Sequence, residues 1–379
     1  MASKGFRLGI LWVMMLFVTL PNGAQQAASP FYLTFIPNIQ FAPVYVGIEA
    51  GYFQDAGQPI TVDYLNEADV VDLVATGQAN YGIVSAEQAM LAGVNERPIT
   101  YVYNWFHDYP IAVIASVESG ITSVAELEGR SVGVPMRAGA TYTGLTALLE
   151  SNGLTEADID LQEIGFNAPE AFCLGVVDAA TVYINNEPLQ IRNLMAQDQC
   201  GAMTELNVFP VADAVSLVSN GIITGNDFLE GNPELVESFV AAYHQALLDT
   251  INNPAKAYLY SLTHVENLPI SDELQAELEA QSETQEAFLA TNPIREEIAA
   301  SRVALAEALS EKFDTQMLLQ FNVLLQTIEL WDTEQVGVTD ANAWANMATV
   351  LRSLGQLEAD DAVLNGLYTN EFVPEAVSP

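Results

Sequence analysis

The stretch Ile60-Thr-Val-Asp-Tyr-Leu-Asn-Glu-Ala-Asp-Val-Val-Asp-Leu-Val-Ala-Thr-Gly-Gln-Ala-Asn-Tyr-Gly-Ile-Val84 holds the fold in miniature. Ile60–Tyr64 is strand-like, Val70–Thr76 reads as a helix stopped by Gly77, and Tyr81–Val84 reads as a second strand. Strand, helix and strand in such quick succession predict a parallel βαβ unit. Upstream, Phe31–Ile36 continues the rhythm as a strand, and Val44–Phe53 as a helix ended by Gly51. Downstream come a helix at Ala86–Ala92 and strands at Ile99–Tyr103 and Ile111–Ala115.

A second unit of the same kind begins near Glu118. It has a short helix at Val124–Leu127, strands at Ser131–Pro135, Asp160–Ile164 and Ala179–Tyr183, and helices at Tyr142–Ser151 and Pro169–Leu174. From about Val215 the chain returns, and beyond a clear helix at Pro233–Leu248 it is overwhelmingly helical. The expected fold class is α/β, with two lobes of mixed sheet flanked by helices and a helical C-terminal region. The expected division is residues 29–117 with 214–379 as one discontinuous lobe and 118–213 as the inserted one, joined near Ala115–Gly120 and Phe209–Ser216.

Composition narrows the function. The 379 residues include 49 acidic and only 11 basic ones, a formal charge of −38. So few cations cannot build a phosphate-tracking groove, which argues against nucleic acid, and anionic lipid surfaces would repel the chain. Half the residues are apolar, enough for a large core. Lys4 and Arg7, the apolar run Leu8–Leu20 and the break at Pro21-Asn22 have the pattern of a secretory signal peptide over residues 1–28, too short to span a bilayer. No cysteine lies in the stretch Gly23–Ser29 just after the run, so the exported chain is expected without a lipid anchor, in the periplasm or its extracytoplasmic equivalent. Removal of Lys4 and Arg7 would leave 9 basic residues against 49 acidic, or −40. Cys173 and Cys200 could then pair in an oxidising compartment or remain two separate buried thiols.

Several segments together resemble the substrate-binding proteins of ABC importers, in the subgroup related to thiamine-pyrimidine, riboflavin, sulfonate and nitrate binders. They are Phe35-Ile-Pro-Asn-Ile-Gln-Phe-Ala-Pro-Val-Tyr45 with Glu49-Ala-Gly-Tyr-Phe53, Leu73-Val-Ala-Thr-Gly-Gln-Ala-Asn-Tyr-Gly82, Leu127-Glu-Gly-Arg-Ser-Val-Gly-Val-Pro135, Gly139-Ala-Thr-Tyr-Thr-Gly144, and Gly175-Val-Val-Asp-Ala-Ala180 leading to Tyr183-Ile-Asn-Asn-Glu-Pro188. Ile164-Gly-Phe166 and Asn185-Asn-Glu-Pro188 look most like the heterocycle-binding branch, riboflavin binders in particular. The resemblance implies a monomeric binder whose lobes close on a small molecule and deliver it to a permease with its ATPase, without cofactor or metal.

The candidate ligand-binding residues lie at the ends of the predicted strands, where such folds place ligands. Asn38 could bond a ring edge and Phe41 cover its face, although Pro37-Asn38 also suits an ordinary turn. Ser85 and Glu87 could face the cleft or merely cap a helix. Trp105 and Tyr109, in the aromatic segment 104–109, are candidates for stacking. Arg137, Gly139, Thr141 and Tyr142 form a strand-to-helix loop able to cradle an anion or a carbonyl, with Arg137 equally suited to a surface ion pair. Phe166 and Asn167 end one strand, and Tyr183, Asn185 and Glu187 end another. Riboflavin is the first expected ligand and a thiamine-precursor pyrimidine the second. A small anion such as a sulfonate or nitrate is the alternative.

A different class, an enzyme that makes the thiamine pyrimidine with a lysine-bound cofactor, fits poorly. After the leader the chain has only Lys256 and Lys312, both in helical C-terminal sequence. Its histidines, His107, His244 and His264, lack metal-ligand spacing, and there is no Gly-x-Ser-x-Gly elbow.

Overall fold

In the computed structural model, which describes residues 27–375, ten strands form two five-stranded sheets. They are β1 (Ser29–Thr34), β2 (Ile60–Leu65), β3 (Tyr81–Ser85), β4 (Ile99–Asn104), β5 (Ile111–Ser116), β6 (Ser131–Val134), β7 (Asp160–Glu163), β8 (Ala179–Tyr183), β9 (Leu206–Pro210) and β10 (Asn220–Gly225). The first sheet has the order β2-β1-β3-β10-β4 and the second β7-β6-β8-β5-β9. The βαβ steps give parallel pairs, β1 with β2 and β3, and β6 with β7 and β8. The expected signal peptide lies outside the described residues, apart from Ala27 and Ala28.

Each sheet also has one antiparallel strand in fourth place, β10 in the first and β5 in the second. Both are the first strand after a crossing between lobes. The neighbouring βα strands end at the edge facing the other lobe, and a chain that arrives at that edge must run the opposite way. Parallel pairing therefore holds for the local units and fails where the chain crosses. The first crossing is Trp105–Pro110, upstream of the expected Ala115–Gly120, so Ile111–Ser116 belongs to the second sheet. All six residues of β5 are buried, and an apolar run by itself does not reveal which sheet receives it. The return runs from Pro210 to Asn220.

The C-terminal helices do more than thicken the first lobe. Leu274, Leu278, Leu305, Leu309, Phe321 and Leu324 join Phe31, Leu33 and Tyr243 in one buried cluster. The Ala341–Ser353 helix, in contrast, puts Trp344, Met347 and Leu351 into a core shared with Val84 and Met90 of the first lobe and Leu145 and Leu148 of the second. Ser353 Oγ also donates to Glu150 at 2.8 Å, and Asn185 Nδ2 of the second lobe donates to Thr327 Oγ1 at 2.7 Å. The outer core of the second lobe is smaller, built around Ile114, Phe172, Val182 and Ile191. Cys173 and Cys200 form a disulfide at its edge, with their Cα atoms 4.2 Å apart.

Candidate functional site

A cavity of about 300 Å³ lies between the two lobes. Parallel strands that point the same way place their carboxyl ends, and the loops that follow, along one edge. Thr34 and Phe35 follow this rule after β1, Asn66 and Glu67 after β2, and Trp105 and Phe106 after β4. Opposite them stand Pro135 and Met136 after β6, Gly165 and Phe166 after β7, and Tyr183 at the end of β8.

The first-lobe wall is dense and polar at selected points. Phe41 stacks on Trp105 with centroids 5.2 Å apart and planes 17° off parallel. Trp105 packs also against Phe106 and Trp331, so its ring is already engaged by protein. What it retains for a ligand is Nε1–H, buried without a partner among the described residues. Gln40 Nε2 is in the same condition, and both residues line the cavity. Glu67 lies between the lobes and is held by Ser85, whose backbone N donates to Oε1 at 2.8 Å and whose Oγ donates to Oε2 at 2.9 Å. Burial raises the Glu67 pKa, and these two bonds partly oppose the rise.

The second-lobe wall is built from a helix start and from side chains that remain accessible. The helix Gly139–Ser151 begins in the wall with Gly139, Ala140 and Thr141. Gly139 has φ 74°, where a side chain would be strained. Phe166 is 65% exposed, and Met136 is 43% exposed. Phe166 meets Phe35 across the cleft, edge to face, at 5.2 Å. Phe35 has φ 79°, unusual for a non-glycine residue, so the expected strand through Ile36 ends at Thr34 and turns. Glu187 completes this wall and accepts the Tyr183 N–H at 2.9 Å. Burial raises its pKa to about 7.

Seven expected residues therefore line the cavity: Phe41, Trp105, Gly139, Thr141, Phe166, Tyr183 and Glu187. The others lie outside the lining, and all but Glu87 have structural partners. Asn38 Oδ1 accepts the Gln40 N–H at 3.0 Å, as a turn cap. Ser85 lies behind Glu67, and Glu87 is fully buried next to it with neither oxygen partnered. Burial and then the Glu67 charge raise the Glu87 pKa to about 8. Tyr109 donates to the Ala140 carbonyl at 2.8 Å, tying the crossover to the helix start. Arg137 pairs with Glu156 and Glu163 on the surface, and Tyr142 donates to the same Glu156 at 2.6 Å. Asn167 Nδ2 donates to Glu170 at 2.6 Å. Asn185 is the interlobe tie to Thr327.

Sequence reasoning missed Glu67, Gln40, Phe35 and Asn220 as wall residues. Glu67 and Gln40 had a usable signal, since each follows a predicted strand within a few residues. Asn66 hid Glu67, because an Asn before an acidic turn reads as a helix cap. It is in fact one: Asn66 Oδ1 accepts the Asp69 N–H at 3.0 Å.

Comparison with known proteins adds four likenesses. Residues 38–257 match the family described as NMT1/THI5 like. The riboflavin-binding protein RibY of Chloroflexus aurantiacus is 30% identical, over 99% of this chain and 99% of that protein. A 4-amino-5-hydroxymethyl-2-methylpyrimidine phosphate synthase of Legionella pneumophila is 23% identical, over 60% of this chain and 70% of its own length. Among solved structures, the ligand-binding component of an ABC-type import system from Staphylococcus aureus shares the fold, with TM-score 0.59 and 11% identity over 93% of this chain and all of that one.

Proposed function

We propose a function from one premise, that this chain belongs to the NMT1/THI5-like family. It is the extracytoplasmic solute-binding component of an ABC importer. It captures riboflavin between its lobes and passes it to the membrane permease and its ATPase. The observation that carries this reading is the chemistry of the cavity wall. Aromatic rings stand beside two unpartnered N–H donors and two carboxylates, and no Lys, Arg or His is in the lining. A flavin has a flat ring to stack, carbonyl and ring-nitrogen acceptors for Gln40 and Trp105, and an imide N–H and hydroxyls for Glu67 and Glu187. The full-length likeness to a riboflavin-binding protein supports the same ligand.

A pyrimidine precursor of thiamine is the second reading, supported by the named product of the Legionella relative. A sulfonate or nitrate finds little here, because cations are missing from the wall. An enzyme using a lysine-bound cofactor is disfavoured as well. Lys256 and Lys312 sit on the surface, paired at 2.6 Å with Glu286 and Glu277.

Titration of the purified chain lacking residues 1–28 tests the reading. Riboflavin fluorescence is expected to be quenched saturably, while taurine and nitrate leave the melting temperature unchanged. Stabilisation by the small anions alone would overturn it, and turnover of any ligand would overturn the binder class.

A further inference from the structure

The helix Gly139–Ser151 opens onto the cavity without a side-chain cap at Ala138. Such a helix start favours negative charge. Here the protein supplies that charge itself. A Cβ at position 139 would lie 3.8 Å from Glu67 Oε2, so a carboxylate from the first lobe rests against the helix start of the second. Ser85 fixes it there with two bonds. The unpartnered Gln40 Nε2 and Trp105 Nε1 mark the same cavity as a place where a ligand must still supply acceptors.

We propose that Glu67 is a specificity residue: by occupying the anion position at this helix start it admits the uncharged flavin and rejects its phosphate ester. The inference rests on the riboflavin reading and deepens it. A phosphate entering the cleft would meet Glu67 where it needs donors, would face Glu187 nearby, and would find no cation in the lining. Like-charge juxtaposition of this kind is how binding sites reject a near-identical competitor.

Riboflavin and flavin mononucleotide are titrated in parallel against the wild type, Glu67→Gln, Glu67→Ala and Ser85→Ala, with melting curves to confirm folding. The wild type is expected to prefer riboflavin by at least about tenfold. Both Glu67 variants should reduce that preference to less than about threefold. Ser85→Ala, which loosens the carboxylate without removing it, should reduce it partway and serves if the Glu67 variants do not fold. Equal binding of the two flavins by the wild type, or an undiminished preference in the folded variants, would overturn the proposal. Inorganic phosphate gives a readout free of flavin. Glu67→Gln, or Ser85→Ala in its place, should gain thermal stabilisation by phosphate that the wild type lacks. That gain without riboflavin binding would refute the riboflavin reading while retaining the role of Glu67. Absence of both would refute the two together.

Discussion

The two walls of the cleft are made differently. The first-lobe wall is a finished surface: Phe41 and Trp105 are each 5% exposed, Gln40 is 8% exposed, and the C-terminal helices back it. The second-lobe wall leaves Phe166 and Met136 open at 65% and 43%. Its lobe has the smaller outer core and contains the disulfide. On the proposed reading, a ligand meets a buried first-lobe wall that carries two unpartnered donors, and the lobe with exposed apolar surface closes over it.

The burial behind the first wall has a cost, and measuring that cost is the strongest way to break the comparison. Glu87 lies buried beside Glu67, and its pKa rises to about 8. The folded chain therefore keeps this proton up to about pH 8, while the unfolded chain releases it near pH 4.5. Between these limits the native state binds more protons at Glu87, so the contribution of this group to stability falls as pH rises through the window and levels off above it. The loss is up to about 4 kcal/mol at pH 8. Glu87→Gln is expected to flatten the melting profile between pH 5 and pH 8 and to raise stability at the upper end, as followed by differential scanning calorimetry. A Glu87→Gln profile as steep as the wild type would mean that Glu87 does not cause the slope.

In the second lobe the corresponding element is the Cys173–Cys200 bond. It closes a loop of 27 residues, for which chain entropy gives about 3.5 kcal/mol. Cys173→Ser with Cys200→Ser should lower the denaturation midpoint and raise proteolysis within residues 160–205, with the first lobe protected as before. Uniform loss of protection in both lobes would show that the lobes unfold as one unit and that the contrast in core size is immaterial.

The sequence makes local structure readable and long-range structure obscure. The βαβ units stand out because each is set by periodicity and by glycine stops such as Gly77 and Gly153. Strand β10, Asn220-Gly-Ile-Ile-Thr-Gly225, does not, since its short run is fixed only by pairing with β3 and β4. The first crossover was displaced for the same reason: nothing within Ile111–Ser116 specifies its partners β8 and β9. Of the residues expected at strand ends, Phe41, Thr141, Phe166, Tyr183 and Glu187 line the cavity. Side-chain direction stayed hidden, because a polar residue after a strand can face the cleft or cap the next turn. Glu67 and Asn38 are the two outcomes, one against the opposite lobe and the other bonded to Gln40 N–H.

Arg137 shows how composition settles what proximity in sequence suggests, and it permits the finest test of the contrast between walls. It lies between Met136 and Ala138, both cavity residues, yet its guanidinium turns away to Glu156 and Glu163. In a chain with 49 acidic residues a cation finds a carboxylate wherever it points. An exposed pair of this kind is screened by solvent and does not reach the cavity, so Arg137→Ala should shift riboflavin affinity by less than about twofold. Phe166, in the same lobe and also exposed to solvent, differs because its ring lines the cavity and packs on Phe35. Phe166→Ala should weaken binding by about 1 kcal/mol, roughly fivefold, through a faster off-rate. Stopped-flow release of riboflavin from the two variants distinguishes them. Equal off-rates would mean that the open wall contributes no hold on the ligand and that the first lobe does all the binding.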